Sequence, residues 1–458
     1  MKIEAYKKLE SLFNRISLIS ESISVLHWDA ATKMPKRGAH ARSGQIAELK
    51  KISHDLLVNK ETEALLNEAL SNTDDLSLWQ KANIREMHAQ WKKEKIIPKE
   101  IVVTLSHACS KCETVWREAK CNNDFSLVKP YLQEVLNLMI EIGQLKAEAL
   151  NVPLYGALLN DYEPGFDCVH IDKLFTMYAN FLPEFLGEVL EHQKMSPKII
   201  TPSGPFLIDA QRELGTKIMR AIGFDFSQGR LDESSHPFCG GIPEDVRVTT
   251  RYSENDFTKS LMGIIHETGH ALYEMGLPEN WRRQPVGQAL GMSIHESQSL
   301  LFEMQVCRSY RFVKWATPMI SRAFKGSDNA WDPDNLYRLY TNVCPSLIRV
   351  DADEVTYPAH VILRYNIEYA LVTDKMTLND LPAAWDEWMS NLLGLKPSNH
   401  ENGCMQDIHW FDGAWGYFPS YSMGAITAAQ FFNTAIQSDP NILPSISQGN
   451  FDPLYLWL

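Results

Sequence analysis

The sequence predicts a mostly α-helical protein with one small β-sheet. Three observations carry that expectation. Apolar residues recur at three- and four-residue spacing through most of the 458 residues, the period of helices packed along one face. One stretch, Asp245-Val246-Arg247-Val248-Thr249-Thr250, alternates with period two and is rich in β-branched residues, as a short strand is. The next helical pattern contains His266-Glu267-Thr268-Gly269-His270. Its two imidazoles project one turn apart from one helix face, where they can share a metal ion.

Taken in order, Tyr6, Leu9, Leu12, Phe13 and Ile16 give the first helical stripe, which continues to Met34 and breaks at Pro35 and Gly38. Residues 39–57, 76–95 and 98–120 read as further helices, the last with Pro98 near its first turn. Val128, Leu132, Val135, Met139 and Ile142 line the next one. Residues 153–165, PLYGALLNDYEPG, read as a loop. Asp172 is expected to cap a helix through Phe175, Leu182 and Val189, kinked at Pro183. Another helix, 211–222, stops at Gly223. The run His236 to Gly241 carries too much Pro and Gly to be regular. Ser253 with Asp256 suggests a capping box before the motif helix, and Gly276 with Pro278 a stop after it. Loop 278–291 leads to a helical pattern that contains His295 and Glu296. A strand edge next to the motif helix would let an extended peptide pair with it.

The chain can bury a large core: 45% of its residues are hydrophobic, with 12 Trp, 16 Tyr and 19 Phe. Its formal net charge of −13 argues against nucleic acid or an anionic membrane as the main partner. The amphipathic N-terminus lacks the apolar core of a signal peptide, and no apolar run reaches the ~18 residues a membrane span needs. The eight cysteines are dispersed. Cys109 and Cys112 form one Cys-x-x-Cys, which reads as two residues on a helix face and not as a zinc or redox motif. A reducing cytosol is the expected location.

The chemistry of His-Glu-x-x-His suits a zinc hydrolase. His266 and His270 bind the ion, which polarises a carbonyl and acidifies a water, and Glu267 takes the proton. The bland alternative is a hydrogen-bonded core pair, but Glu267 would then need a partner of its own. Glu296, 26 positions after His270, would complete a His₂Glu set with one open position, although by residue type it is one among 57 acidic residues. Two later runs, residues 348–360 and 403–410, mix charge with apolar residues and suggest either buried ion pairs or a site wall.

Six segments in order resemble the carboxypeptidase Taq family of metallocarboxypeptidases. They are His236-Pro237-Phe238; Asp245-x-Arg247-x-Thr249; His266-Glu267-Thr268-Gly269-His270; His295-Glu296-Ser297-Gln298; Ile348-Arg349-x-x-Ala352-Asp353-Glu354; and Gly403-x-x-Gln406-Asp407-x-His409-Trp410. His27-Trp28-Asp29 and Asp161-Tyr162-Glu163-Pro164-Gly165 look similar too. The resemblance implies a neurolysin-like helical fold, one peptidase unit over residues 1–458, with two helical halves flanking a deep groove. It implies a homodimer that removes single C-terminal residues with broad preference.

The resemblance also assigns roles. His266, His270 and Glu296 hold the metal, with zinc the expected ion and cobalt or manganese able to use the same ligands. Glu267 is the general base. His409 and Tyr421 are the candidates for oxyanion donors, with Tyr417 as the weaker choice. Arg349 is the candidate for the substrate's free carboxylate, since its fork can bind one bidentately. Its alternative is an ion pair with Asp351 or Asp353. Arg247, Thr249 and His236 are the further substrate-binding candidates, the strand backbone at Arg247–Thr249 holding the residues upstream of the cleaved bond. Two other readings compete: an oligopeptidase or endopeptidase on the same fold, and a catalytically idle peptide-binding protein.

Overall fold

The computed structural model describes residues 2–458 and is built mainly of helices. The first group comprises α1 (Lys2–Thr32), α2 (Ala39–Leu57), α3 (Lys60–Leu70), α4 (Leu78–Ile96), α5 (Lys99–Asn122), α6 (Phe125–Leu150), α7 (Leu154–Leu159), α8 (Cys168–Lys194) and α9 (Ile208–Ile222). Three strands follow: β1 (Gly229–Glu233), β2 (Phe238–Ile242) and β3 (Asp245–Thr250). The motif helix is α10 (Phe257–Gly276). After it come α11 (Met292–Leu300), α12 (Tyr310–Phe324), α13 (Pro333–Tyr340), α14 (Tyr357–Val372), α15 (Leu381–Leu393), α16 (Pro419–Ser438), α17 (Ile442–Ile446) and α18 (Asp452–Trp457). A π-helical segment, Leu301–Cys307, continues α11.

Local chemistry explains most boundaries. Ser77 and Gln80 form a reciprocal capping box at the start of α4. Gly223 ends α9 at φ 116°, a conformation without penalty for glycine alone. Four expected details differ. Residues 153–165 are not all loop, because PLYGALL folds into α7, whose Tyr155–Leu159 face is completely buried. Asp167 caps α8, and Asp172 instead accepts a hydrogen bond from the Tyr365 hydroxyl. Asp256 caps α10 by accepting from the Thr258 N–H at 2.8 Å, whereas Ser253 bonds only to Asn255. The run ending at Gly241 is not irregular, since β2 pairs antiparallel with β3 from Phe238 to Ile242.

The strand order is β1-β3-β2. Beyond β3, β1 runs parallel to it, with Leu231 opposite Val248. The predicted strand is therefore the middle of the sheet, and its edges are not open to a peptide. Val246 and Val248 are fully buried against Ile264 and Ala271, which lays the sheet on α10.

Two large cores flank the motif helix. One joins α5 to α8 with α14, α15 and residues 404–418, including Trp385, Trp410 and Trp415. The other joins α9, α10, α12 and α13 with the π-helical segment and the C-terminal helices. A third packs α1 against α3 and α4 through Tyr6, Leu9, Phe13 and Met87. Among the described residues, no helix is long and apolar enough to cross a membrane.

Candidate metal centre and active site

Two close helix approaches assemble the centre. A Cβ at Gly269, inside the His-Glu-x-x-His motif, would stand within 2.6 Å of the Ser299 backbone on α11. One at Gly424 on α16 would stand 2.8 Å from Glu296. With hydrogen at both positions, α11 crosses α10 and α16 closes over α11 at backbone contact. Glu296 thereby meets the two imidazoles. Its Oε2 lies 3.3 Å from His270 Nε2 and 3.7 Å from His266 Nε2. His266, His270 and Glu296 form the one group of three His, Cys, Asp or Glu side chains found among the described residues that could hold a metal ion.

The donor set fits a divalent ion. Ligands about 2.1 Å from a tetrahedral zinc stand roughly 3.4 Å from each other, close to the two separations above. Each imidazole is oriented from behind. His266 Nδ1 bonds to Glu303 Oε2 at 2.9 Å, and Glu303 also takes Arg308 Nη2 at 2.6 Å. His270 Nδ1 faces His295 Nδ1 at 2.6 Å, and His295 Nε2 meets Glu274 Oε1 at 2.8 Å. With the His270 proton on Nδ1, its Nε2 lone pair is free for a metal, His295 accepts, and the His295 Nε2–H donates to Glu274.

The electrostatics are those of a cation site. Burial works to lower the His266 pKa, but Glu296 and Glu303 outweigh it and lift the imidazole to about 10. Burial opposes ionisation of Glu296, yet the two histidines hold it down at about 2. Burial, reinforced by Glu296 and Glu303, pushes Glu267 up to about 7.

An aromatic wall faces this centre. Tyr421 lies one turn before Gly424 on α16, so it shares the face that meets Glu296. Its ring is edge-on to Tyr417, with centroids 5.1 Å apart, and Tyr417 stacks on His409 at 5.6 Å. Burial keeps both phenols protonated, Tyr417 at about 12 and Tyr421 well above its ordinary value. Burial and then Arg349 hold His409 down at about 4, so its ring is neutral near pH 7. Its Nδ1 is buried without a partner, leaving Nε2 as the nitrogen that can reach a substrate.

Arg349 stands behind Tyr421, its guanidinium carbon 5.1 Å from the ring centre. Its ion-pair partner is neither of the expected aspartates. Asp351 pairs with Lys259, and Asp353 accepts from the Val355 and Thr356 N–H groups. Arg349 binds Asp407, which it shares with Arg364, and Arg349 Nη1 donates to the Tyr357 hydroxyl at 2.7 Å. The Arg349 N–H donates to Gln406 Oε1 at 2.9 Å. The two charge-rich runs thus supply buried ion pairs and a site wall at once. Two guanidiniums on one carboxylate leave a surplus positive charge.

The remaining candidates stand elsewhere. Arg247 is paired with Asp245 and lies over Trp28, 4.2 Å from the ring centre. Thr249 is fully buried and accepts from the Phe238 N–H at 3.0 Å, which fixes β2 to β3. His236 is exposed just before β2. Nothing in the sequence pattern marks Glu274 or Arg364. Glu303, seven residues beyond Glu296, could have been found from the two-turn spacing that puts both on one helix face.

One strap joins the parts. The Tyr162 carbonyl accepts from the Met292 N–H at 2.8 Å, and the buried Glu163 carboxylate accepts from the Ser293 N–H and Oγ, each at 2.6 Å. The Tyr162 ring packs edge-on to Tyr417 at 5.0 Å. This two-residue strap reaches from α7 to the first turn of the helix that carries Glu296.

The chain is similar over nearly its whole length to known proteins. Residues 8–458 match the model of the family described as carboxypeptidase Taq (M32) metallopeptidase. The chain is 34% identical to carboxypeptidase 1 of Bacillus subtilis, covering 100% of this chain and 91% of that protein. It is also 34% identical to thermostable carboxypeptidase 1 of Thermus thermophilus, covering 99% and 90%. Among solved structures, Trypanosoma cruzi metallocarboxypeptidase 1 superposes with a TM-score of 0.97 at 38% identity, over 99% of this chain and 91% of the other. Pyrococcus furiosus carboxypeptidase superposes with a TM-score of 0.95 at 31% identity, over 100% and 92%.

Proposed function

The chain belongs to the carboxypeptidase Taq (M32) family of metallopeptidases and is a metallocarboxypeptidase, and from that premise we propose that it releases single C-terminal residues from peptides with broad side-chain preference. The observation that carries this reading is the meeting of His266, His270 and Glu296 beside Glu267 and opposite Tyr421 and Arg349. Zinc is the ion that best suits two imidazoles and one carboxylate in tetrahedral array. When bound, it supplies Lewis acidity for the scissile carbonyl and for the attacking water.

The residues around it divide the remaining work. Glu267 takes the proton of the attacking water and passes it to the leaving amine. The protonated Tyr421 hydroxyl and neutral His409 donate hydrogen bonds to the developing oxyanion, with Tyr417 as the alternative donor. Arg349, with Arg364 sharing its carboxylate partner, draws in the free C-terminal carboxylate. A peptide backbone pairs with the outer edge of β2, not with β3. Ser24 occupies the outward N–H and C=O of Gly241, and strand alternation turns those of Cys239 the same way. Cys239 packs with Val246 and Val248 against Ile264 and Ala271 of α10, the helix that carries the proposed base.

We further propose that the chain works as one peptidase unit over residues 1–458, with its groove between the two large cores, as a homodimer in a reducing cytosol. The eight free cysteines support that compartment.

The deciding experiment uses one peptide with a free or an amidated C-terminus, zinc-loaded protein, and mass analysis with and without chelator. A ladder of single-residue losses from the free form alone, abolished by chelator, is expected. Internal cuts in both forms would replace the exopeptidase reading with an oligopeptidase one. No cleavage by protein with verified metal would favour the idle binding protein.

A further inference from the structure

We propose that Glu368 is a positioning residue for catalysis: its carboxylate pins both ends of segment 409–417 and so fixes His409 and Tyr417 relative to the metal ligands. The role rests on the function proposed above for His409. Glu368 lies on α14, fully buried. Its Oε1 accepts from Trp410 Nε1 at 2.7 Å. Its Oε2 accepts from the Tyr155 hydroxyl at 2.7 Å and from the Gly416 N–H at 3.1 Å. Trp410 directly follows His409, and Gly416 directly precedes Tyr417. One side chain therefore holds the neighbours of both rings in the stacked pair.

The segment is tied within itself as well. The Ala414 N–H donates to the His409 carbonyl at 2.8 Å, and Trp415 Nε1 donates to the Trp410 carbonyl at 3.2 Å. Gly416, at φ 84°, sits so close to α7 that a Cβ would come within 2.9 Å of the Leu159 backbone nitrogen. Three donors and one carboxylate make a complete set with no ion pair. Arg364, one turn earlier on α14, is committed to Asp407 and to the His360 carbonyl.

A carboxylate in this position carries the cost of burial without an ion-pair partner, and that burial lifts its pKa to about 7, with its three hydrogen-bond donors and Arg364 opposing the rise only in part. An apolar side chain would fill the same volume more cheaply, but it would release the Trp410 and Gly416 donors. The Glu368 oxygens thus fix geometry near the reacting atoms and do not merely fill the core. In Glu368→Gln the amide oxygen still accepts from two donors, while the amide nitrogen opposes the third.

The test compares E368Q, H409Q and the double variant in zinc-loaded enzyme, with metal content measured for each. E368Q is expected to lose about tenfold or more in kcat with KM within about threefold and metal content unchanged, because the hold acts on a group used in the transition state. The double variant is expected to turn over no more slowly than H409Q, since the two losses are one loss. Multiplying losses, or unchanged kcat in E368Q, overturns the positioning role. If H409Q itself turns over like wild type, the oxyanion reading of His409 fails and this role fails with it. A slow H409Q beside a normal E368Q removes this role alone. Should E368Q not fold, Y155F takes one donor from the far side of the carboxylate. A kcat loss of about two- to threefold that disappears in an H409Q background is expected there, and its absence counts equally against the proposal.

Discussion

Gly424 touches Glu296: a Cβ placed on that glycine would stand 2.8 Å from both Cβ and Cγ of the glutamate. Glu296, the proposed third metal ligand, is held by the absence of a side chain on the helix opposite. Gly424→Ala is a favourable change for an isolated helix. Here it is expected to displace Glu296 and weaken zinc binding by about 10- to 100-fold, as disturbed support around a ligand does. Competition with a chelator reads this directly. Wild-type affinity in that variant would take Glu296 out of the ligand set.

Glu267 is buried beside the ligands and bonds to neither imidazole behind the site. Glu267→Gln keeps the shape and removes the proposed base. Turnover is expected to fall by about 10²- to 10⁴-fold, the range for a general base, while metal content measured after dialysis stays at that of wild type. A variant that still turns over at the original rate would mean that the proton goes elsewhere.

Arg349→Ala separates carboxylate recognition from support of the wall. Arg364 still neutralises Asp407 in this variant, so the aspartate is not left unpaired. Losing a charge-assisted hydrogen bond costs about 1.5 to 3 kcal/mol, which is roughly 10- to 100-fold in kcat/KM on peptides with a free C-terminus. Any residual cleavage of amidated peptides should change little. Equal losses on both forms would make Arg349 a prop for Tyr357 and Tyr421.

The two imidazoles have unlike backing. His266 leans on a carboxylate, Glu303, and His270 on a second imidazole, His295. Glu303→Gln and His295→Phe are each expected to lower zinc affinity by about 10- to 100-fold. The Glu303 change also frees the buried Arg308 charge and should reduce the thermal midpoint, whereas His295→Phe should not. Identical metal affinity in His295→Phe would assign the tautomer of His270 to some other contact.

Acid sensitivity follows from two histidines buried in the neutral form. Burial, then Arg364 and Arg349, hold His360 at about 3, and burial, then Arg349, holds His409 at about 4. Both folded values lie below the ordinary 6.5. The unfolded chain therefore binds more protons in that window, and stability is lost as pH falls from about 6.5 toward the folded values. At pH 5 each histidine costs about 2 kcal/mol relative to pH 7. His360→Phe, which also removes two unpaired ring nitrogens, should flatten the drop by about that amount, read as urea midpoints at the two pH values. An unchanged drop would place the acid sensitivity elsewhere.

Helices and metal motif were legible because their signals are local. Apolar spacing needs only the next turn, and His266 and His270 lie on one turn of one helix. The sheet was legible only in β3. The signal for β2 was hidden because Gly240 and Gly241 carry no strand preference, and the strand exists by virtue of its pairing with β3. For the same reason β3 looked like an edge: which strand is central is a property of three segments together. Glu296 stood out through resemblance and not by pattern, since helix crossings at Gly269 and Gly424 bring it in. The partner of Arg349 lies 58 residues away in sequence, at Asp407. Nearby aspartates were the natural guess, and only the packing of α14 against residues 404–418 overrules it.

The strap at Tyr162 and Glu163 has a mechanical meaning. Leu158 and Leu159 just before it belong to one core, and Leu300, on the helix that Glu163 caps, belongs to the other. The cores cannot part at this point without uncapping the helix that presents Glu296. Any opening between the two cores that kept this strap intact would have to hinge near residues 162–163, beside the proposed metal ligands. The same two residues thus tie the seating of Glu296 to the spacing of the two cores.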